Sequence, residues 1–186
     1  MKFSRRTRLS TLGAVAVFSL WGSVGHSRSD REVRLRDDCD PVTFNEVLGP
    51  GGCIGDGHTT FTAFIDELTE DQSVGSWKYN PDDFHIDRDE HLVLVNRGGE
   101  THTFTRVARF GGGFVANLNA LSGNDTPAPE CAEVQADGTL RPRPPGPNNL
   151  FVPARSSQAG PAVAPGGVIR FQCCIHPWMR TQLRVR

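Results

Sequence analysis

Near the end of the chain, Phe171-Gln172-Cys173-Cys174-Ile175-His176-Pro177-Trp178-Met179 holds a thiol, an imidazole and a thioether spaced Cys-x2-His-x2-Met. A soft thiolate, an imidazole and a long axial thioether suit copper, but such a site needs a second imidazole. A tight loop supplies three of these ligands, and the fourth must arrive from elsewhere to close the pocket. His102 is the candidate, in Val95-Asn96-Arg97-Gly98-Gly99-Glu100-Thr101-His102-Thr103-Phe104, where it begins a strand-like segment after a Gly-Gly turn. His102, Cys173, His176 and Met179 would then hold one copper ion.

These two stretches resemble the cupredoxins, the plastocyanin–amicyanin–pseudoazurin group of blue copper proteins. One carrier of the resemblance is the Asn-x5-His element from Asn96 to His102. The other is the loop before the last strand, whose Cys173, His176-Pro177 and Met179-Arg180 are similar to the short ligand loop of amicyanins. The resemblance covers roughly residues 74–110 and 165–186. It implies a Greek-key β-sandwich and a mononuclear type 1 copper site ligated by His102, Cys173, His176 and Met179. It places Asn96 and Thr103 beside the ligands and gives the role of electron port to His176, with Pro177 and Trp178 around it. Three departures stand out. Thr103 sits where the family often has Asn or Ser, the link from His102 to Cys173 is longer than in small cupredoxins, and Cys174 has no counterpart.

Strand alternation assigns the ligand between the adjacent cysteines. Ile169, Phe171 and Cys173 share one face and Arg170, Gln172 and Cys174 the other, so Cys173 points to the core. Binuclear copper sites need two cysteines with three residues between them, and multicopper oxidases need His-x-His pairs; neither occurs among the six histidines and five cysteines. His58, His85 and His91 read as surface or strand-end residues. Glu67, Glu70 and Asp71 read as the solvated side of a helix, and Asp82-Asp83 as a turn. With Cys173 reserved for metal, Cys39, Cys53, Cys131 and Cys174 remain, and three pairings are open. Cys39–Cys53 with Cys131–Cys174 is preferred; the rival keeps Cys174 as a free thiol able to exchange with Cys173.

The elements that position these residues follow from periodicity. Phe84–Ile86, His91–Asn96, Thr101–Arg106, Val168–Cys173 and Thr181–Arg186 are short, β-branched or aromatic, and separated by Asn80-Pro81-Asp82-Asp83, Asp87–Glu90 and Gly98-Gly99. They predict a small β-sandwich or barrel, and the resemblance implies that it is an all-β, cupredoxin-like domain over residues 74–186. Before it, Asp40-Pro41 and Thr60 are N-cap signals for two helices, with Phe44, Val47 and Leu48, then Phe61, Phe64, Ile65 and Leu68, on their apolar faces. This helical extension over 39–73 reads as a packing appendage. Nine of the 13 prolines lie between Gly123 and Gly167, which predicts a long loop or insertion at about 123–167.

Residues 1–25 have a basic start, an apolar stretch from Leu12 to Trp21 and small residues at Ser23 and Gly25, the pattern of a secretory signal. Ser4-Arg5-Arg6-Thr7-Arg8-Leu9 also resembles a twin-arginine signal, with an ordinary export signal as the alternative. Residues 26–38 read as a flexible leader. Without Lys2, Arg5, Arg6 and Arg8, 16 of the 20 Lys and Arg remain against 21 Asp and Glu. An acidic exported chain without a basic stripe is a poor nucleic-acid binder, and no apolar run in it spans a bilayer. The expected product is a periplasmic or extracellular copper protein that carries single electrons between redox partners. The alternatives are a copper carrier or resistance protein, and an accessory domain docked through its helices. Four protein ligands leave no open position for a substrate, which argues against an enzyme.

Overall fold

The computed structural model describes residues 30–163 and 166–186; the expected signal at 1–25 lies outside them. Two sheets enclose one core. The first holds β1 (Asp30–Arg36), β2 (Lys78–Asn80), β4 (His91–Asn96) and β9 (Ser157–Ala159), in the order β2-β1-β4-β9. The second holds β3 (Asp83–Ile86), β5 (His102–Val107), β8 (Asn149–Val152), β10 (Val168–Gln172) and β11 (Arg180–Val185), in the order β3-β11-β10-β5-β8. Val33, Leu35, Leu92 and Leu94 from the first sheet join Phe84, Ile86, Phe104, Phe171 and Leu183 from the second in a single buried cluster. The expected β-sandwich is the fold.

Three expectations about its periphery need correction. The segment expected as a flexible leader contains β1, which lies between β2 and β4 and runs parallel to β4 with Val33 opposite Leu94. Its Val33 and Leu35 are buried while Arg34 and Arg36 are exposed, so a period-2 core face lay inside what reads as a charge run. The Pro-rich insertion is not all loop. It supplies β8, paired with β5, and β9, paired with β4, each set in a proline-free window. Its remainder carries a small hairpin of β6 (Ala132–Val134) and β7 (Leu140–Pro142).

The third correction concerns the helices. α1 (Pro41–Leu48) and α2 (Phe61–Asp71) start where the caps predict: the Asp40 carboxylate accepts from Thr43 N at 2.9 Å, and Thr60 Oγ1 from Ala63 N at 3.2 Å. They are no appendage. Phe44, Phe64 and Leu68 belong to the central core, and Phe44 stacks on Trp77 with ring centroids 5.7 Å apart. With α3 (Ala116–Leu121), they cover the end of the sandwich from which the Cys-His-Met loop emerges.

Candidate metal centre

The two ligand-bearing stretches meet because β5 and β10 are neighbours. Gln172 lies opposite Thr105 in an antiparallel pair, which carries the start of β5 alongside the residues just after β10. Thr103 stitches the junction: its Oγ1 accepts from Cys174 N at 2.6 Å, and its own N–H points to Cys173 Sγ at 3.4 Å. The loop closes on itself through Cys173 N to Met179 O at 3.0 Å and Met179 N to His176 O at 2.9 Å.

His102, Cys173 and His176 form a three-donor group with all donor atoms within 4.8 Å of one another. Cys173 Sγ is 3.9 Å from Nδ1 of His102 and 3.9 Å from Nδ1 of His176. Donors ~2.0–2.3 Å from one metal ion and ~110–120° apart about it lie roughly 3.5–3.9 Å from each other. The spacing therefore fits a shared metal without rearrangement. All three side chains are buried, as is Met179. A thiolate, two imidazoles and a thioether residue are the donor chemistry that copper selects.

The electrostatics prepare the donors. Burial pushes the Cys173 thiol up, but the two imidazoles outweigh it and hold the group well below its ordinary value, which favours the thiolate. Burial likewise opposes charge on His102, yet Asp37 and Cys173 raise it to about 10. In the metal-free protein His102 is thus protonated on both nitrogens. A metal would displace the Nδ1 proton and leave the Nε2 proton on the Asp37 side.

Asp37 is the partner that sequence reasoning missed. Its Oδ2 lies 2.8 Å from His102 Nε2, and both side chains are fully enclosed. The same carboxylate accepts from Gly99 N at 2.8 Å and Glu100 N at 3.1 Å, so it fixes the turn before His102 as well as the ring. Gly98 permits this approach, because a Cβ there would stand 1.8 Å from Asp37 Oδ2. Asn96 braces the turn from the other side, donating to Glu100 O at 2.8 Å and Val152 O at 3.0 Å and accepting from Gly98 N at 2.9 Å. Carboxylates behind ligating imidazoles fix the tautomer and raise ligand basicity.

Glu100 was also missed. It is buried, accepts from Trp77 Nε1 at 2.6 Å, and faces His176 Nε2 at 3.6 Å, an ionic contact too long for a hydrogen bond. Each imidazole thus has a carboxylate behind it. Burial raises the Glu100 carboxyl above the ordinary range despite the opposing pull of His176 and His102. Its only sequence signal was its place two residues before His102.

The residues expected to form the electron port are largely enclosed. His176 is only 2% exposed, and Pro177 is buried with it. Phe64, Trp77 and Trp178 surround the His176 ring at centroid distances of 6.3, 6.4 and 5.5 Å. Trp178 is half-buried, with its indole Nε1 enclosed. The remaining cysteines are joined as Cys39–Cys53 and Cys131–Cys174, and Cys173 alone is free. Gln172 and Cys174 lie on the face of β10 away from the main core, Cys174 packing with Val107, Ala128 and Cys131. His58, His85 and His91 are exposed and stand apart from the donor group.

No protein-family model matches the chain, and no curated protein matches it. Among solved structures it is similar to a purple cupredoxin from Nitrosopumilus maritimus, with a TM-score of 0.39 and 10% identity over 83% of this chain and 98% of that one. It is also similar to oxidised plastocyanin from Dryopteris crassirhizoma, with a TM-score of 0.38 and 14% identity over 84% of this chain and 100% of that one. A copper(I) amicyanin variant gives a TM-score of 0.34 and 13% identity over 61% of this chain and 78% of that one. Likenesses this loose decide nothing about chemistry. The donor geometry carries the functional reading.

Proposed function

We propose that the chain is an exported, mononuclear type 1 copper protein that carries single electrons between redox partners. His102, Cys173 and His176 are its equatorial ligands and Met179 its weak axial ligand. The observation that carries this reading is the buried Cys173 sulfur, equidistant at 3.9 Å from two Nδ1 atoms. A bound copper ion supplies a one-electron couple. The chain supplies everything else: Asp37 and Thr103 hold the donors in place, and the two sheets and helices exclude water.

Burial of all three donors favours a metal that is kept over one that is handed on, so electron transfer outranks metal delivery. The exit for electrons is the Trp178 edge or the His176 edge that closes a surface groove, not an exposed imidazole. Among the described residues no helix is long and apolar enough to cross a membrane. Potentiometric titration of the copper-loaded protein tests the proposal. A reversible couple fitting one electron per chain is expected; absence of a reversible couple, with copper lost on reduction, would favour the carrier reading.

A further inference from the structure

An opening between the helices ends at the candidate metal centre. It encloses about 690 Å³ and is walled by α1, α2 and α3, with Phe44, Phe61, Phe64, Leu118 and Leu121 among its lining residues. Val47 and Leu48 line it too and remain 58% and 52% exposed, so the apolar surface continues out to solvent. Its ionisable groups are only two, Glu100 and His176. A concave apolar site of ~300–1,000 Å³ with few convergent polar groups is the usual form of a small-molecule pocket.

We infer that this groove binds a neutral phenol-type molecule, its ring between the helices and its hydroxyl donating to the Glu100 carboxylate beside His176. The chemistry at the closed end selects that class. Glu100 accepts one hydrogen bond from Trp77 and meets no Lys or Arg, so a carboxylate oxygen can accept another. An anion would find no Lys or Arg along the lining to pair with. A cation would have to shed its hydration along an apolar slot, whereas a phenol gives up about one hydrogen bond and regains it at Glu100. The aromatic walls favour a ring over an alkyl chain, since Phe44, Phe61 and Phe64 all line the groove. A protein surface is the poorer occupant, because His176 lies 2% exposed at the end of the groove and only a group narrow enough to enter can reach it.

The inference stands apart from the copper reading, and its test uses the metal-free protein. Backbone amide and side-chain NMR shifts are followed while 4-propylphenol, propylbenzene and 4-propylbenzoate are titrated separately. Saturable shifts at Glu100, His176 and Leu118 are expected with 4-propylphenol, with propylbenzene at least tenfold weaker and 4-propylbenzoate without effect. Glu100→Gln should narrow the phenol-to-benzene difference severalfold, because the amide is a weaker acceptor. Leu118→Trp and, independently, Leu121→Trp should fill the groove and abolish the shifts while the remaining spectrum stays folded. Non-saturating shifts, equal binding of propylbenzene, binding of the benzoate, or shifts that vanish on dilution as a self-associated dimer does would each overturn the proposal.

Discussion

At the residue scale, Asp37 decides how His102 is presented. Its carboxyl is pushed up by burial but pulled further down by His102 and by the Gly99 and Glu100 amides, so it lies below its ordinary value of 3.8. A depressed carboxyl stabilises the fold above its unfolded pKa, and that stabilisation is lost as pH falls through the folded value. The metal-free Asp37→Asn variant should therefore be less stable at neutral pH and show a flatter acid limb in thermal unfolding followed from pH 7 to pH 2. An acid limb identical to that of the parent would remove Asp37 from this role. Asp37→Ala, which takes away the support behind the ring, should weaken copper binding by about 10–100-fold in a competition titration with a chelator. The Thr103 hydroxyl accepts from Cys174 N at 2.6 Å and so ties the two candidate ligand stretches together. The four candidate ligands were legible because their spacing is local on each side. Asp37 was not, because 65 residues separate it from His102 and only the β1–β4 pairing brings them together.

At the element scale, the helices change what the sandwich presents. Phe44 packs at once against Phe61, Phe64 and Trp77, with ring centroids 5.3, 5.5 and 5.7 Å away. Phe44→Ala should cost about 3–5 kcal/mol in denaturant unfolding and open His176 to water. A loss under about 1 kcal/mol would show the helices to be loosely attached. The Cys131–Cys174 disulfide closes a separation of 43 residues and fastens the Pro-rich segment beside the ligand loop. Replacing both cysteines by serine should cost on the order of 4 kcal/mol, if loop-closure entropy dominates, read as a fall in the denaturant midpoint with a steeper slope as the unfolded chain expands. Helix existence and caps were readable from Asp40-Pro41 and Thr60. Their docking was not, since an apolar helix face does not name the surface it covers. Strands β8 and β9 were hidden for another reason: proline density argues against strands on average, and here the prolines sit at the turns.

At the scale of the whole molecule, the sequence is acidic from residue 26 onward, with 16 Lys and Arg against 21 Asp and Glu. Electron exchange with a cationic mediator should therefore be faster than with an anionic one of matched potential, and the difference should shrink as salt rises from 10 to 200 mM. Equal rates at every ionic strength would mean that charge does not steer the encounter. The fold places the donors at one end of a sandwich and then roofs that end with aromatic helices. The donor side chains are thus buried, with the groove ending at His176. Export, the partner protein and the electron route belong to the proposal.

The central claim is that Cys173, His102 and His176 hold one copper ion through a thiolate bond. Its most direct test is the visible spectrum of the purified protein after one equivalent of copper(II), beside the Cys173→Ser variant treated identically. The account predicts an intense blue to green thiolate-to-copper band that saturates at one copper per chain and is absent from the variant. A protein that stays colourless, or whose band survives Cys173→Ser, would contradict it.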